Sequence, residues 1–240
     1  MVDPRTSVIV ERMKDVKKVI AVSSGKGGVG KSLVASTLAL VMAQKGYKVG
    51  LFDLDFTSPS THVILGVGDV RPIERKGIIP PKVHGLKYMS IIYYSGDLAV
   101  PLRGADVSNA LIELLAITKW GSLDCLILDM PPGIGDVTLD LVRLMKRIEF
   151  LIVTTSSQLA FETVKKLIDL LESLKIPVIG LVENMKMDNS ETIQRSTEKM
   201  GLKFLAAIPY DSKVEESMGK TRELLRTTVS KKIESMLSKI

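Results

Sequence analysis

A chain of 240 residues has room for one α/β domain, or for two small ones at most. Hydrophobic residues make up 45% of it and mean hydropathy is +0.22, enough for a large core and too apolar for a disordered chain. The net charge of +6 is modestly basic, but aromatics are only 5% and do not interleave with the basic residues, so there is no strong nucleic-acid signal.

Met1 to Lys18 is charged and lacks an apolar run of leader type, which predicts a cytoplasmic chain without a secretory signal. The later apolar runs are strand-sized, short of the ~20 residues of a membrane span, so no transmembrane segment is expected. Residues 1–16 read as a helical N-terminal lead with Val8-Ile9-Val10 and Met13 as its apolar content. Val19 to Val22 is a short β-branched run suited to a buried strand. Gly25 to Ser32 then matches G-x-x-x-x-G-K-[ST], a phosphate-binding loop, and residues 17–240 read as one domain built on it. Its glycines let successive N–H groups turn inward, so the cradle runs through Gly25, Gly27, Gly28, Val29, Gly30, Lys31 and Ser32 to Leu33. Lys31 would reach the β- and γ-phosphates of ATP, and the Ser32 hydroxyl would ligate Mg²⁺. A helix follows, and its N-terminal dipole favours the same anion.

Tyr47 to Asp53 is a second strand, ending in Asp53-Leu54-Asp55; carboxylates at a strand's carboxyl end lie where doubly wound sheets bind ligands. Residues 56–66 read as a turn and short helix, and 67–87 as a proline- and glycine-rich irregular excursion. Lys87 to Tyr94 has a strand pattern, Pro101 to Asp106 a turn pattern, and Asn109 to Thr118 a buried-helix pattern. Arg103 in that turn is placed to face phosphate, a partner chain or solvent. Cys125-Leu-Ile-Leu-Asp129 is four apolar residues ending in an aspartate, the Walker B pattern that brings Asp129 to Mg²⁺. Cys125, the only cysteine, excludes an internal disulfide framework and falls mid-strand, where an inert buried thiol is expected. Met130 to Asp136, with two prolines and two glycines, forms a stiff turn suited to sensing a γ-phosphate, and Asp136 is placed to cap a helix over Val137 to Lys146. Phe150 to Thr155, Pro177 to Asn184 and Lys203 to Ile208 are further strands, alternating with helices over Gln158 to Leu174 and Thr192 to Met200. The amphipathic stretch Val229 to Ile240 reads as a terminal helix docked on the sheet, with a membrane-surface helix as the alternative. This alternation predicts an α/β fold: one doubly wound, mostly parallel sheet with helices on both faces.

The loop GKGGVGKS resembles the deviant phosphate loop of the MinD/ParA/nitrogenase-iron-protein ATPases. That resemblance implies a homodimer in which Lys26 crosses to the partner's phosphates. The motifs SSGKGGVGKS, DLDFTSPS, PLRGADVSNAL, LILDMPPGIGDVTL, FLIVTTSS and IGLVENM together resemble the Mrp/ApbC family of iron–sulfur carrier ATPases. The family resemblance implies that Asp53 lies close to the Mg²⁺ shell and that Asp55 aligns the attacking water. It also implies that Asn184 reads the adenine edge, and that the segment from Ile208 through Pro209 to Asp211 packs on the base. Family members pass a [4Fe-4S] cluster to recipient proteins, many holding it with a Cys-x-x-Cys motif shortly after VENM. Here Met185 to Ile193 contains no cysteine, so the cluster's ligands are absent from the chain: either cluster binding has been lost, or an assembly or recipient partner provides the thiolates. The expected function is therefore an Mg²⁺-dependent ATPase switch linked to iron–sulfur assembly. The alternative is a ParA/MinD-like positioning ATPase acting on DNA or a membrane surface. A non-hydrolysing scaffold is disfavoured by the presence of Asp53, Asp55 and Asp129.

Overall fold

The computed structural model describes residues 3–95 and 104–240. In chain order the strands are β1 (Val16–Ser24), β2 (Val49–Asp53), β3 (Ile73–Glu74), β4 (Ile78–Ile79), β5 (Lys82–Val83), β6 (Leu86–Ser90), β7 (Leu123–Asp129), β8 (Ile148–Thr154), β9 (Val178–Lys186) and β10 (Phe204–Pro209). The helices are α1 (Arg5–Met13), α2 (Lys31–Gln44), α3 (Thr61–Leu65), α4 (Ile92–Ser95), α5 (Ala105–Ile117), α6 (Asp136–Leu144), α7 (Gln158–Ser173), α8 (Thr192–Lys199), α9 (Lys213–Glu216), α10 (Thr221–Leu224) and α11 (Thr228–Met236).

Strand side chains alternate between two cores, as a period of two requires. Val19, Ala21, Phe52, Leu126, Leu128, Phe150 and Ile152 face a core completed by α1, α5, α6, α7 and α8. Ile20, Val22, Leu51, Ile127, Leu151 and Val153 face the other, completed by α2, α3, α10 and α11. Because both sheet faces are covered, the strands read as continuous apolar runs. The main sheet has the order β10-β9-β8-β1-β7-β2-β6-β5. Every neighbouring pair in it is parallel except β5–β6, the expected doubly wound arrangement. Its register aligns Val22 with Asp129 and Asp129 with Asp53, so the carboxyl ends of β1, β7 and β2 share one level.

Several local expectations change. The strand pattern at Lys87–Tyr94 ends at Ser90, and α4 takes over at Ile92. The 67–87 excursion contains an antiparallel β3–β4 pair and the β5 edge strand. Helix α5 starts four residues before Asn109, from Ala105. Asp136 is the first residue of α6 and not its cap, a position taken by Gly135, although a carboxylate in the first turn still suits the helix dipole. The turn containing Pro101 and Arg103 lies outside the described residues.

The two terminal segments are both packed. Helix α1 lies on α5, where Arg5 Nη2 donates to Asn109 Oδ1 at 3.2 Å and Arg12 Nε to the Ala116 carbonyl at 3.0 Å. Ile9 of α1 is fully buried in the first core. Helix α11 packs against α2 and β10 and buries Val229, Ile233 and Met236. Its apolar stripe is used internally, which removes it as a membrane-binding face. No helix among the described residues is long and apolar enough to cross a membrane.

If α1 is part of the core, Ile9→Ala should lower stability by about 2–5 kcal/mol, the usual cost of emptying a buried isoleucine site. An unchanged urea midpoint would show that α1 is not docked in solution.

Candidate functional site

The loop between β1 and α2 can form because Gly25, Gly28 and Gly30 sit where a side chain would clash or strain the backbone. Gly30 has φ +76°, and a Cβ there would lie 2.3 Å from Asn184 Nδ2. A Cβ on Gly25 would lie 2.3 Å from Thr163 Oγ1 and 2.7 Å from the α7 backbone, so α7 presses on the loop's start. From below, Asn184 Nδ2 donates to the Val29 carbonyl at 3.0 Å. The loop borders a cavity of about 440 Å³ that also touches Lys26, Asp55, Thr57, Ser58 and Pro132.

Lys31 and Asp129 are both buried, and Lys31 Nζ lies 2.5 Å from Asp129 Oδ1 and 3.2 Å from Ser32 Oγ. Asp129 Oδ2 is buried with no protein partner. Burial pushes the Asp129 carboxyl up from its usual range, and the Lys31 ammonium works against that shift. A buried orphan carboxylate oxygen close to a serine hydroxyl is a hard-oxygen donor set, and it fits Mg²⁺. Ser32 and Asp129 are the residues that would hold the ion.

Asp53 is fully buried as well. Its Oδ1 accepts from Asp55 N at 3.1 Å, and its Oδ2 accepts from Thr61 Oγ1 at 2.6 Å and Thr61 N at 3.2 Å. The Tyr88 hydroxyl lies 2.9 Å from Thr61 Oγ1 and completes the chain. Asp53 thus closes the 54–60 loop on itself by fixing the first residue of α3. Burial, with the negative charge of Asp129 beside it, raises the Asp53 carboxyl to about 7. Asp55 is held by Thr57 Oγ1 at 2.9 Å and Ser58 N at 3.1 Å, both on Oδ1.

Backbone bonds lace these loops together. Leu54 N donates to the Asp129 carbonyl at 2.9 Å, Met130 N to Val22 at 3.1 Å, and Gly133 N to Ser24 at 2.9 Å. The structure therefore brings Lys26, Lys31, Ser32 and Asp55 to one cavity, with Asp129 and Asp53 beneath it. Asn184 lies under the loop, and Pro209 ends β10; neither lines that cavity. The sequence reading missed Thr61, Tyr88 and the Asn184–Val29 bond. Only the Thr61 hydroxyl, at a helix start after the acidic pair, left a trace in the sequence. Cys125 is buried and its thiol is pushed up to about 12 by burial. It faces a separate cavity near Lys17 and Lys18, at the opposite end of β1 from the loop.

Residues 15–240 match the family model described as ParA, NUBPL iron-transfer P-loop NTPase. An iron-sulfur cluster carrier protein of Aquifex aeolicus is 38% identical over 226 residues, covering 88% of this chain and 62% of the relative. One from Haemophilus influenzae is 40% identical over 221 residues, covering 86% and 60%. The chain thus spans about three-fifths of the length of these relatives. A nucleotide-binding protein in complex with ADP from Archaeoglobus fulgidus superposes with a TM-score of 0.78 at 30% identity, covering 92% of this chain and 93% of that one. The cell division ATPase MinD of Pyrococcus furiosus, at TM-score 0.69 and 19% identity over 93% and 98% of the two chains, shares the fold.

The raised Asp53 carboxyl has a pH consequence. Between about 4 and 7 the folded chain holds a proton there that the unfolded chain has released, so stability falls as pH rises through that window. Urea unfolding of the Mg²⁺-free protein should show this fall, and Asp53→Asn should flatten it. An equally steep fall in Asp53→Asn would mean that another group titrates.

Proposed function

The chain belongs to the ParA family of NUBPL-type iron-transfer P-loop NTPases, and on that premise we propose an Mg²⁺-dependent ATPase switch of the Mrp type that serves iron–sulfur cluster assembly or transfer. The observation that carries this reading is the buried Lys31–Asp129 pair inside a glycine cradle, with Asp53 beside it in the sheet.

The N–H groups from Gly27 to Ser32 take the phosphates, and Lys31 is already held within the cradle by Asp129, so little side-chain freedom is lost on binding. Mg²⁺, when bound, supplies charge neutralisation to the β- and γ-phosphate oxygens. Asp53 supports that shell from behind through Asp55 and Thr61. Asp55 orients a water whose oxygen attacks the γ-phosphorus as the bond to the bridging oxygen breaks and ADP leaves. Lys26, from a second copy, stabilises the charge that develops. Asn184 spends its N–H on Val29 and keeps its carbonyl oxygen for the adenine amino group, with Pro209 against the base. The 54–60 and 130–136 loops, laced through Leu54 and Asp129, respond together to the γ-phosphate.

The iron–sulfur cluster is cargo in this scheme. The single thiol is buried and held protonated, so the thiolates come from the partner protein.

Lys26→Ala should keep ATP affinity and lose most turnover, by about 10³-fold or more as for a lost arginine finger. Lys31→Ala should weaken ATP binding itself. Equal loss of affinity in both, read by nucleotide titration, would remove the trans role of Lys26. Anaerobic incubation of the chain with iron and sulfide should leave ATP hydrolysis intact and give no absorption band at about 400 nm. A band with about two irons per chain would instead place a subunit-bridged cluster on this protein.

A further inference from the structure

Parallel strands put all their amino ends on one edge of a sheet and all their carboxyl ends on the other. Each of the seven parallel strands is entered through a segment made of its first three residues and the four before them. These entry segments hold thirteen basic residues and three acidic ones, from whole-chain totals of 33 and 27. The matching exit segments, the last three residues and the four after, hold three basic and five acidic. The positive charge of the molecule is thus concentrated on the edge opposite the phosphate loop.

Part of it is compensated locally: Lys14 pairs with Glu11, Lys17 with Asp124, Lys18 with Glu149 and Lys45 with Glu234. Lys48, Lys82, Lys146, Arg147, Lys175 and Lys203 are exposed and carry no ion pair among the described residues. They follow the sheet order from β10 through β9, β8 and β2 to the β5–β6 edge. At ~4.8 Å per strand, seven strands span about 29 Å. Crowding is evident at one end, where burial and the nearby Lys82 and Lys48 lower the Lys87 ammonium from its usual range.

We infer that this entry edge is a docking surface for the phosphodiester backbone of a nucleic-acid duplex, bound without sequence selection and without a requirement for ATP. The length is close to one duplex turn of about 34 Å. The composition favours phosphate over the other polyanions. Lysine is depleted from protein–protein interface cores and serves well as a phosphate contact. The apolar side chains at this edge, Val10, Met13, Val16, Leu144 and Met145, gather around one cavity of about 300 Å³ at the start of β1 and β8, while the cations run the width of the sheet, and α11 has its apolar stripe buried and turned from any lipid surface. The absence of an aromatic row excludes base stacking, so the duplex is the fitting form. This reading is independent of the ATPase assignment, because the two sites lie on opposite edges.

The test is fluorescence anisotropy of a labelled random-sequence 24-base-pair DNA duplex with the full chain. Binding should be present at 50 mM salt with or without Mg²⁺-ATP. Six phosphate contacts should make affinity fall about 10³-fold by 200 mM. The Lys48→Gln/Lys146→Gln/Arg147→Gln/Lys175→Gln variant should lose most affinity and reduce the log–log salt slope by about 3.6, with ATP affinity and melting temperature unchanged. A control of equal charge, Lys166→Gln/Lys220→Gln/Arg222→Gln/Lys231→Gln, should bind nearly as the parent does. Equal losses in the two variants would mean that net charge alone is responsible, and would overturn the inference. No binding at 50 mM salt, binding only with ATP, or binding to phosphatidylglycerol vesicles or polyglutamate in preference to the duplex would overturn it as well.

Discussion

Two carboxylates and one ammonium are buried at the carboxyl ends of neighbouring strands, and the site is organised around keeping that charge compensated. Asp129 and Asp53 face each other across the β7–β2 ladder, and neither has water to stabilise its ionised form. An unpaired carboxylate in that position would be costly. Lys31 answers for Asp129, while the N–H of Asp55 and the Thr61 backbone and hydroxyl answer for Asp53. The groups that satisfy the charges therefore lie in the glycine-loop motif or at the two ends of the 54–60 segment. Removing one partner of such a buried pair typically costs about 3–5 kcal/mol, so the cradle and the core beneath it are energetically one unit.

The same economy applies to the backbone. The loop after β2 takes its first bond from Asp129, and the loop after β7 takes its bonds from β1. Neither loop is free to move without disturbing a strand end that also bears a functional side chain. In the proposed function, a charge change in the cavity, such as the loss of a γ-phosphate, would reach both loops through these few bonds. No long pathway is needed, because the parallel register sets the three strand ends at the same height.

The two edges of the sheet are chemically opposite. Carboxylates and glycines gather at the exits, where the proposed metal and phosphate chemistry would use them; lysines gather at the entries. The chain's modest basicity averages over this polarity. A net charge of +6 spread evenly would carry little meaning, whereas concentrated on one edge it produces a field able to steer a polyanion. The lone thiol lies toward the entry end as well, packed in the second core, where it serves as a small apolar side chain.

The phosphate loop, the Asp129 strand, the doubly wound fold and the missing cysteine pair were all legible in the linear sequence. Each depends on residues close together in the chain: glycine spacing, an apolar run ending in aspartate, the alternation of strand and helix patterns, and the composition of Met185 to Ile193. Local backbone chemistry is enough to specify such features. Where the sequence reading failed, the deciding contacts were distant in the chain. Asp53 meets Tyr88 only through Thr61, Asn184 supports Val29 across 155 residues, and Ile9 belongs to a core built mainly from later strands. The basic edge is the extreme case, since Lys48, Lys146, Lys175 and Lys203 form no run or motif and become neighbours only when parallel strands align their starts. The sequence by itself determined which chemistry the chain can perform. The tertiary structure decided which side chains hold that chemistry in place, and where the remaining charge faces, because both depend on separations in space that chain order does not encode.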